Sequence, residues 1–121
     1  MLPACARMRR RRDFDATVRR GRRTGRALLV AHLGDAADDL RSPQVGFVVS
    51  RAVGNAPTRN LVRRRLRHLT SDRLDALPEN ARLVVRAKPP AARAGFDELG
   101  TELDVLLGRL LTRSPDGADR R

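Results

Sequence analysis

Residues 45–67 read VGFVVSRAVGNAPTRNLVRRRLR, and the fold is decided in this stretch. Residues 45–50 are β-branched and apolar and are bounded by turn formers, the pattern of a strand. Residues 51–57 hold Gly54-Asn55 and Pro57 and read as a loop. Thr58 is a suitable N-cap. A helix follows from Arg59 to about Leu69, with room for a bent continuation to Leu77. At 100° per residue, Val62, Leu66 and Leu69 fall within an arc of about 60° and form the stripe to be buried. Arg59, Asn60, Arg63, Arg64 and Arg67 occupy a separate arc of about 140°, while Leu61, Arg65 and His68 fill the rest.

That helix does not favour itself electrostatically. Arg59/Arg63 and Arg63/Arg67 are like-charge pairs four apart, costing ~0.2–0.5 kcal/mol each. Arg59 also sits at the positive end of the helix dipole. A phosphate-rich partner turns each of these penalties into a contact; without one, the face is a solvated surface with screened repulsion. Asn60 fits the first reading, since an amide reads base edges or sugar hydroxyls, although Asn is also common at helix starts.

Outward from this helix, the remaining elements follow. Residues 13–20 form a short helix with Phe14 and Val18 on one face and Asp13 and Asp15 in its first turn, and Gly21 stops it. Arg22, Arg23 and Arg26 around Gly25 suggest a turn or short strand. Residues 27–33 (ALLVAHL) form a strand, 34–43 a loop and 78–80 a turn. Residues 83–87 form the next strand, ended by Pro89-Pro90. Phe96, Leu99, Leu103, Leu106 and Leu110 recur at helical spacing. Residues 1–113 are one domain and 114–121 a frayed tail. One sheet with helices packed on it satisfies this order, an α+β fold with an aliphatic core.

The chain has 121 residues, 26 of them basic and 14 acidic, for a net charge of +12. Residues 7–67 hold 17 Arg against five acids, while residues 68–121 balance at nine of each. All of the net charge therefore lies in the first half, the footprint of a polyanionic partner. Arg outnumbers Lys 25 to one. Arg forks onto phosphate and stacks on bases, but abundant Ala and Leu point to GC-rich coding as a shared cause. A single Cys, Cys5, excludes an internal disulfide framework. No apolar run approaches the ~18–20 residues of a membrane helix, and no secretory signal opens the chain, so a cytoplasmic protein is expected. No Ser/His/Asp or Cys/His set has suggestive spacing. His32 and His68 lack the neighbours of a metal site, and Gly54-Asn55-Ala56 is not a nucleoside-triphosphate loop.

The ordered stretch from Val45 to Arg67 resembles the signature of the bacterial ribonuclease P protein subunit: a strand ending in Ser and a basic residue, a Gly-Asn-Ala loop, then a helix opening Arg-Asn. Leu2-Pro3, Arg7, Asp13-Phe14 and Gly21-Arg22-Arg23 resemble the family's N-terminal region. Residues 83–89 and 96–111 resemble its last strand and helix. The resemblance implies an α/β sandwich of order αβββαβα with a left-handed βαβ crossover. It implies a complex with the catalytic RNA of ribonuclease P, which removes 5′ leaders from precursor tRNA using Mg²⁺. No protein residue is then catalytic, and neither a membrane nor an obligate protein partner is expected. By match, Arg51, Gly54, Asn55, Arg59, Asn60, Arg63, Arg64 and Arg67 would contact the RNA. Phe14, Val18, Ala31 and Lys88 would line the leader cleft. Ala52 and Leu61 stand where many members are basic, Pro57 where Val is usual and Lys88 where Arg is usual. Val18 and Ala31 stand where aromatics are common, so leader binding would rest on Phe14, Arg stacking and phosphate contacts. A ribosomal-RNA-binding protein with no processing role, or a DNA-coating protein, would use the same basic face without requiring this loop and helix.

Overall fold

The computed structural model describes residues 2–35 and 43–112. Its elements run α1 (Arg11–Arg20), β1 (Arg22–Gly25), β2 (Leu29–Asp35), β3 (Gln44–Val48), α2 (Ala56–Ser71), β4 (Ala81–Ala87) and α3 (Phe96–Leu111). This is the expected αβββαβα order. Short 3₁₀ turns lie at Ala4–Ala6, Leu74–Ala76 and Pro89–Arg93. The expected tail, 114–121, and most of the expected 34–43 loop lie outside the described residues.

The four strands form one mixed sheet in the order β1-β2-β4-β3. β2 pairs antiparallel with β1 and β4, and β3 pairs parallel with β4. A parallel neighbour needs a long crossover, and α2 supplies it. β4 is interior, with Leu83, Val84 and Val85 all fully buried. A strand covered on both faces loses the polar alternation of a half-exposed one.

Strand parity divides the sheet into two faces. Leu29, Ala31 and Leu33 of β2 and Leu83 and Val85 of β4 join Val62, Leu66 and Leu69 of α2 in the main core. Leu99, Leu103, Leu106 and Leu110 of α3 complete it. This core is almost wholly aliphatic, with Phe47 packed at its margin. The opposite face carries Val30, His32, Val84 and Gly46 and is crossed by α1.

α1 lies close to the sheet because two small residues permit it. A Cβ on Gly46 would sit 2.3 Å from the Phe14 ring. A Cβ on Gly21 would sit 2.5 Å from the Thr17 carbonyl oxygen and 2.8 Å from that of Leu33. Gly21 does stop the helix, its N–H donating to the Thr17 carbonyl at 2.9 Å. The buried residue of α1 is Thr17, however, while Val18 remains 36% exposed. Thr17 lies on the helix flank that meets the Gly21/Gly34 crossing. The Arg82–Asp13 ion pair, at 3.4 Å and largely shielded from solvent, fastens α1 to β4.

α2 starts three residues earlier than its sequence suggests. Asn55 is the N-cap, its Oδ1 accepting the Thr58 N–H at 3.0 Å. Pro57 falls in the first turn, where its missing N–H costs nothing. The helix ends at Ser71 and a separate 3₁₀ turn follows, in place of a bent continuation. Arg73 marks this break. Its Nη1 donates to the Leu69 carbonyl at 2.8 Å, and it clasps Asp104 of α3 through two bonds of 2.5 and 3.1 Å. Phe96 opens α3 but is 39% exposed, because the stripe that faces the core begins at Leu99.

Candidate nucleic-acid interface

The loop leading into α2 is held by its own backbone. Val53 and Gly54 donate to the carbonyls of Ser50 and Arg51 at 3.0 and 3.2 Å, and Val53 is buried as an anchor. Gly54 closes against Thr58, where a Cβ would lie 3.0 Å from the threonine methyl. With the Asn55 oxygen committed to capping, Gly54 and Asn55 act by setting the direction of α2.

Four arginines and one asparagine project from α2, as the wheel requires. Arg64 and Asn60 are exposed, and Arg59, Arg63 and Arg67 are half-buried. Arg63 donates from Nη1 to the Asn60 side-chain Oδ1 at 3.3 Å, which orients both groups. Arg59 Nε is buried with no hydrogen-bond partner, a costly state that an acceptor from outside would relieve. Arg51 is exposed in the adjoining turn. Ion pairs among the described residues lie elsewhere, at Arg26–Glu102, Arg73–Asp104 and Arg82–Asp13. Arg65 is separate, donating to the Ala94 carbonyl at 3.0 Å. His68 is exposed beside Phe96, ring centroids 5.5 Å apart in an edge-to-face contact.

A second basic surface lies on the α1 side of the sheet. Val18, Arg23, Val30, His32, Arg86 and Lys88 line a cleft there. Val18 and Lys88, two of the residues expected at a leader cleft, are part of this lining. Lys88 Nζ donates to the Arg26 carbonyl at 2.8 Å and so holds its rim. Phe14 is on the same face but packs over Gly46 of β3, beside this cleft. Ala31 does not belong to the cleft: it is fully buried in the main core, on the opposite face of β2. The reason is parity, since a one-residue change of register exchanges the faces of a strand. Val30 and His32 are the β2 residues that form the cleft floor.

Sequence reading missed His32, Arg23 and Arg86. His32 is 5% exposed and its Nδ1 has no hydrogen-bond partner. Burial lowers its pKa below the ordinary imidazole value, and the charges of Arg23 and Arg86 lower it further. The signal available was strand alternation, but ALLVAHL is apolar at nearly every position and does not say which parity faces which way.

The loop before α2 and one rim of the cleft lie at the same end of the parallel pair. Ala52 and Val53, before α2, line a depression with Pro89, Pro90 and Arg93, which follow β4. Arg86 and Lys88, at the end of the same strand, form the cleft rim. Among the described residues no three His, Cys, Asp or Glu side chains gather into a metal-binding cluster. No helix among them is long and apolar enough to cross a membrane.

Fold and surfaces together define a small basic α+β protein with an arginine helix that no acid pairs among the described residues, and a cationic cleft on the opposite face of the sheet. Its relatives make that class specific. The family profile Ribonuclease P matches residues 2–111, and the chain belongs to that family. It is 53% identical over 118 residues to the ribonuclease P protein component of Streptomyces bikiniensis, covering 92% of this chain and 96% of that one. It is 52% identical over 110 residues to the component from Acidothermus cellulolyticus, covering 91% and 92%. Among solved structures, the fold matches the Staphylococcus aureus RNase P protein with a TM-score of 0.77 at 20% identity, covering 86% of this chain and 94% of that one. The Thermotoga maritima RNase P protein matches with a TM-score of 0.73 at 26% identity, covering 85% and 96%.

Proposed function

We propose that this chain, as the protein subunit of cytoplasmic ribonuclease P, holds the catalytic RNA on the α2 arginine face and the 5′ leader of precursor tRNA in the α1-side cleft. The observation that carries the reading is the α2 face itself: Arg59, Arg63, Arg64 and Arg67 share one side of a helix with no acid paired to any of them among the described residues. Stacked charge of one sign is destabilising in the isolated protein and becomes favourable against phosphates, with release of their counterions. Asn60, steadied by Arg63, is the group on this face able to read a base edge or a 2′-hydroxyl.

In this reading the protein positions and the RNA reacts. Magnesium and the bond-breaking chemistry reside with the RNA. The chain lowers the electrostatic cost of bringing two polyanions together, so its effect is largest where divalent cations are scarce. Because the loop before α2 and the Lys88 rim of the cleft share one end of the sheet, a strand leaving the RNA reaches the cleft around that end.

Reconstitution tests this. The full chain, mixed with a cognate ribonuclease P RNA at low Mg²⁺, is expected to increase precursor-tRNA cleavage over RNA alone. Absence of stimulation at every Mg²⁺ concentration would remove the processing role and leave a general RNA-binding protein.

A further inference from the structure

The cleft floor contains a group that simple phosphate binding does not use. His32 is 5% exposed, its Nδ1 lacks a partner, and it lies in a cleft otherwise walled by cations and aliphatic groups. Arg23 of β1 is its direct cross-strand neighbour, and Val84 of β4 is its neighbour on the other side. Arg86 pairs with Val30, one step along the same face, and Lys88 closes the rim. From α1 the lining residue is Val18; Asp15 and Arg19 of that helix are exposed and outside the lining. No carboxylate lines this cleft.

We propose that His32 couples strand binding to proton uptake: a phosphodiester lying over Arg23 and Arg86 converts the neutral imidazole to imidazolium, which then donates to the bound strand. In the empty cleft a proton on His32 would be buried beside two like charges, so the neutral form prevails. A phosphodiester reverses both conditions, bringing a negative charge and an acceptor for the ring N–H. The proton comes from solvent, and no covalent bond changes. The sign follows. The pKa of His32 is higher in the bound state than in the empty one, so affinity rises as pH falls through the interval between them. Above the bound-state pKa it is flat. The inference rests on the cleft reading above and makes it specific: binding of single-stranded RNA is proton-linked through one residue.

The probe is a tetramethylrhodamine-labelled pentauridylate, whose bases and label do not titrate between pH 5 and 8, bound to the full chain and followed by anisotropy. Wild-type protein is expected to bind about fivefold or more tightly at pH 5.5 than at pH 7.5, within the tenfold-per-unit limit for one proton. Calorimetry in buffers of different ionisation enthalpy should show fractional proton uptake near pH 6.5, the ordinary imidazole value. His32→Gln should abolish the dependence, and His68→Gln should retain it. Arg23→Gln, an exposed change expected to fold, should bring the low-pH plateau of affinity in at higher pH, because the empty-state pKa rises. A flat wild-type profile, no binding at any pH, or a dependence that survives His32→Gln overturns the proposal. Cleavage stimulation by the same preparation separates the two readings. Stimulation without proton linkage removes only this inference; proton-linked binding without stimulation removes only the processing role.

Discussion

Arg63, Arg64 and Arg65 are consecutive and chemically identical, yet each has a different fate. Arg63 is turned toward Asn60, Arg64 extends into solvent, and Arg65 reaches back to a backbone carbonyl after Arg93. A rotation of 100° per residue accounts for the division. Arg64→Ala is therefore expected to lower the salt slope of RNA-subunit binding by ~1 while changing stability by less than ~0.5 kcal/mol. Arg65→Ala should do the reverse, costing ~1 kcal/mol for the lost hydrogen bond and leaving the slope unchanged. Salt titrations and urea midpoints for both variants decide it; equal slopes for wild type and Arg64→Ala would take Arg64 out of the interface. The helical wheel made this division legible. The cap was less so: both Asn55 and Thr58 are good N-cap residues, and only the observed loop geometry selects Asn55.

Among the elements, α1 and β2 show where the sequence was ambiguous. Phe14 and Val18 lie four apart, which suggests a buried stripe, but α1 touches the sheet along Thr17 and Gly21 and leaves Val18 partly in solvent. A ten-residue helix crossing a sheet at small residues presents a flank that apolar spacing does not identify. The Phe14 ring over Gly46 gives this arrangement a test. Gly46→Ala is expected to destabilise by about 1–3 kcal/mol through overpacking. In the Phe14→Ala background the same change should cost much less, a coupling readable in a double-mutant cycle. Additive losses would mean that Phe14 does not rest on Gly46. The misplacement of Ala31 has a similar origin. Both faces of β2 are covered, so its composition carries no parity, and the pairing of Leu33 with Leu83 is what assigns Ala31 to the core.

At the scale of the whole molecule, acids in the later half serve the fold. Glu102 is buried at 6% exposure and accepts the Leu28 and Leu29 N–H groups and Arg26 Nε, so α3 secures the first hydrogen bonds at the start of β2. Asp104 secures the end of α2. Its hydrogen bond to Arg73 holds its pKa below the usual carboxylate value, outweighing the slight desolvation of this exposed side chain. A carboxylate with a depressed folded-state pKa stabilises above its unfolded value, near 4, and that contribution fades as pH falls through the folded value. The melting temperature of Asp104→Asn should thus lie below wild type at neutral pH and converge with it in acid below about pH 4. A difference that persists unchanged at pH 2 would show that the loss has another cause.

The sequence by itself determined the element order, the aliphatic core, the confinement of net charge to the first half, and the arginine face of α2. These are local quantities: a helical period, a turn residue or a run of one charge needs no distant partner to be read. Tertiary structure alone decided which face of β2 carries the cleft, that His32 forms its floor, and that Arg23 and Arg86 stand over it. These depend on register between strands distant in sequence, where sliding by one residue exchanges the core for the cleft.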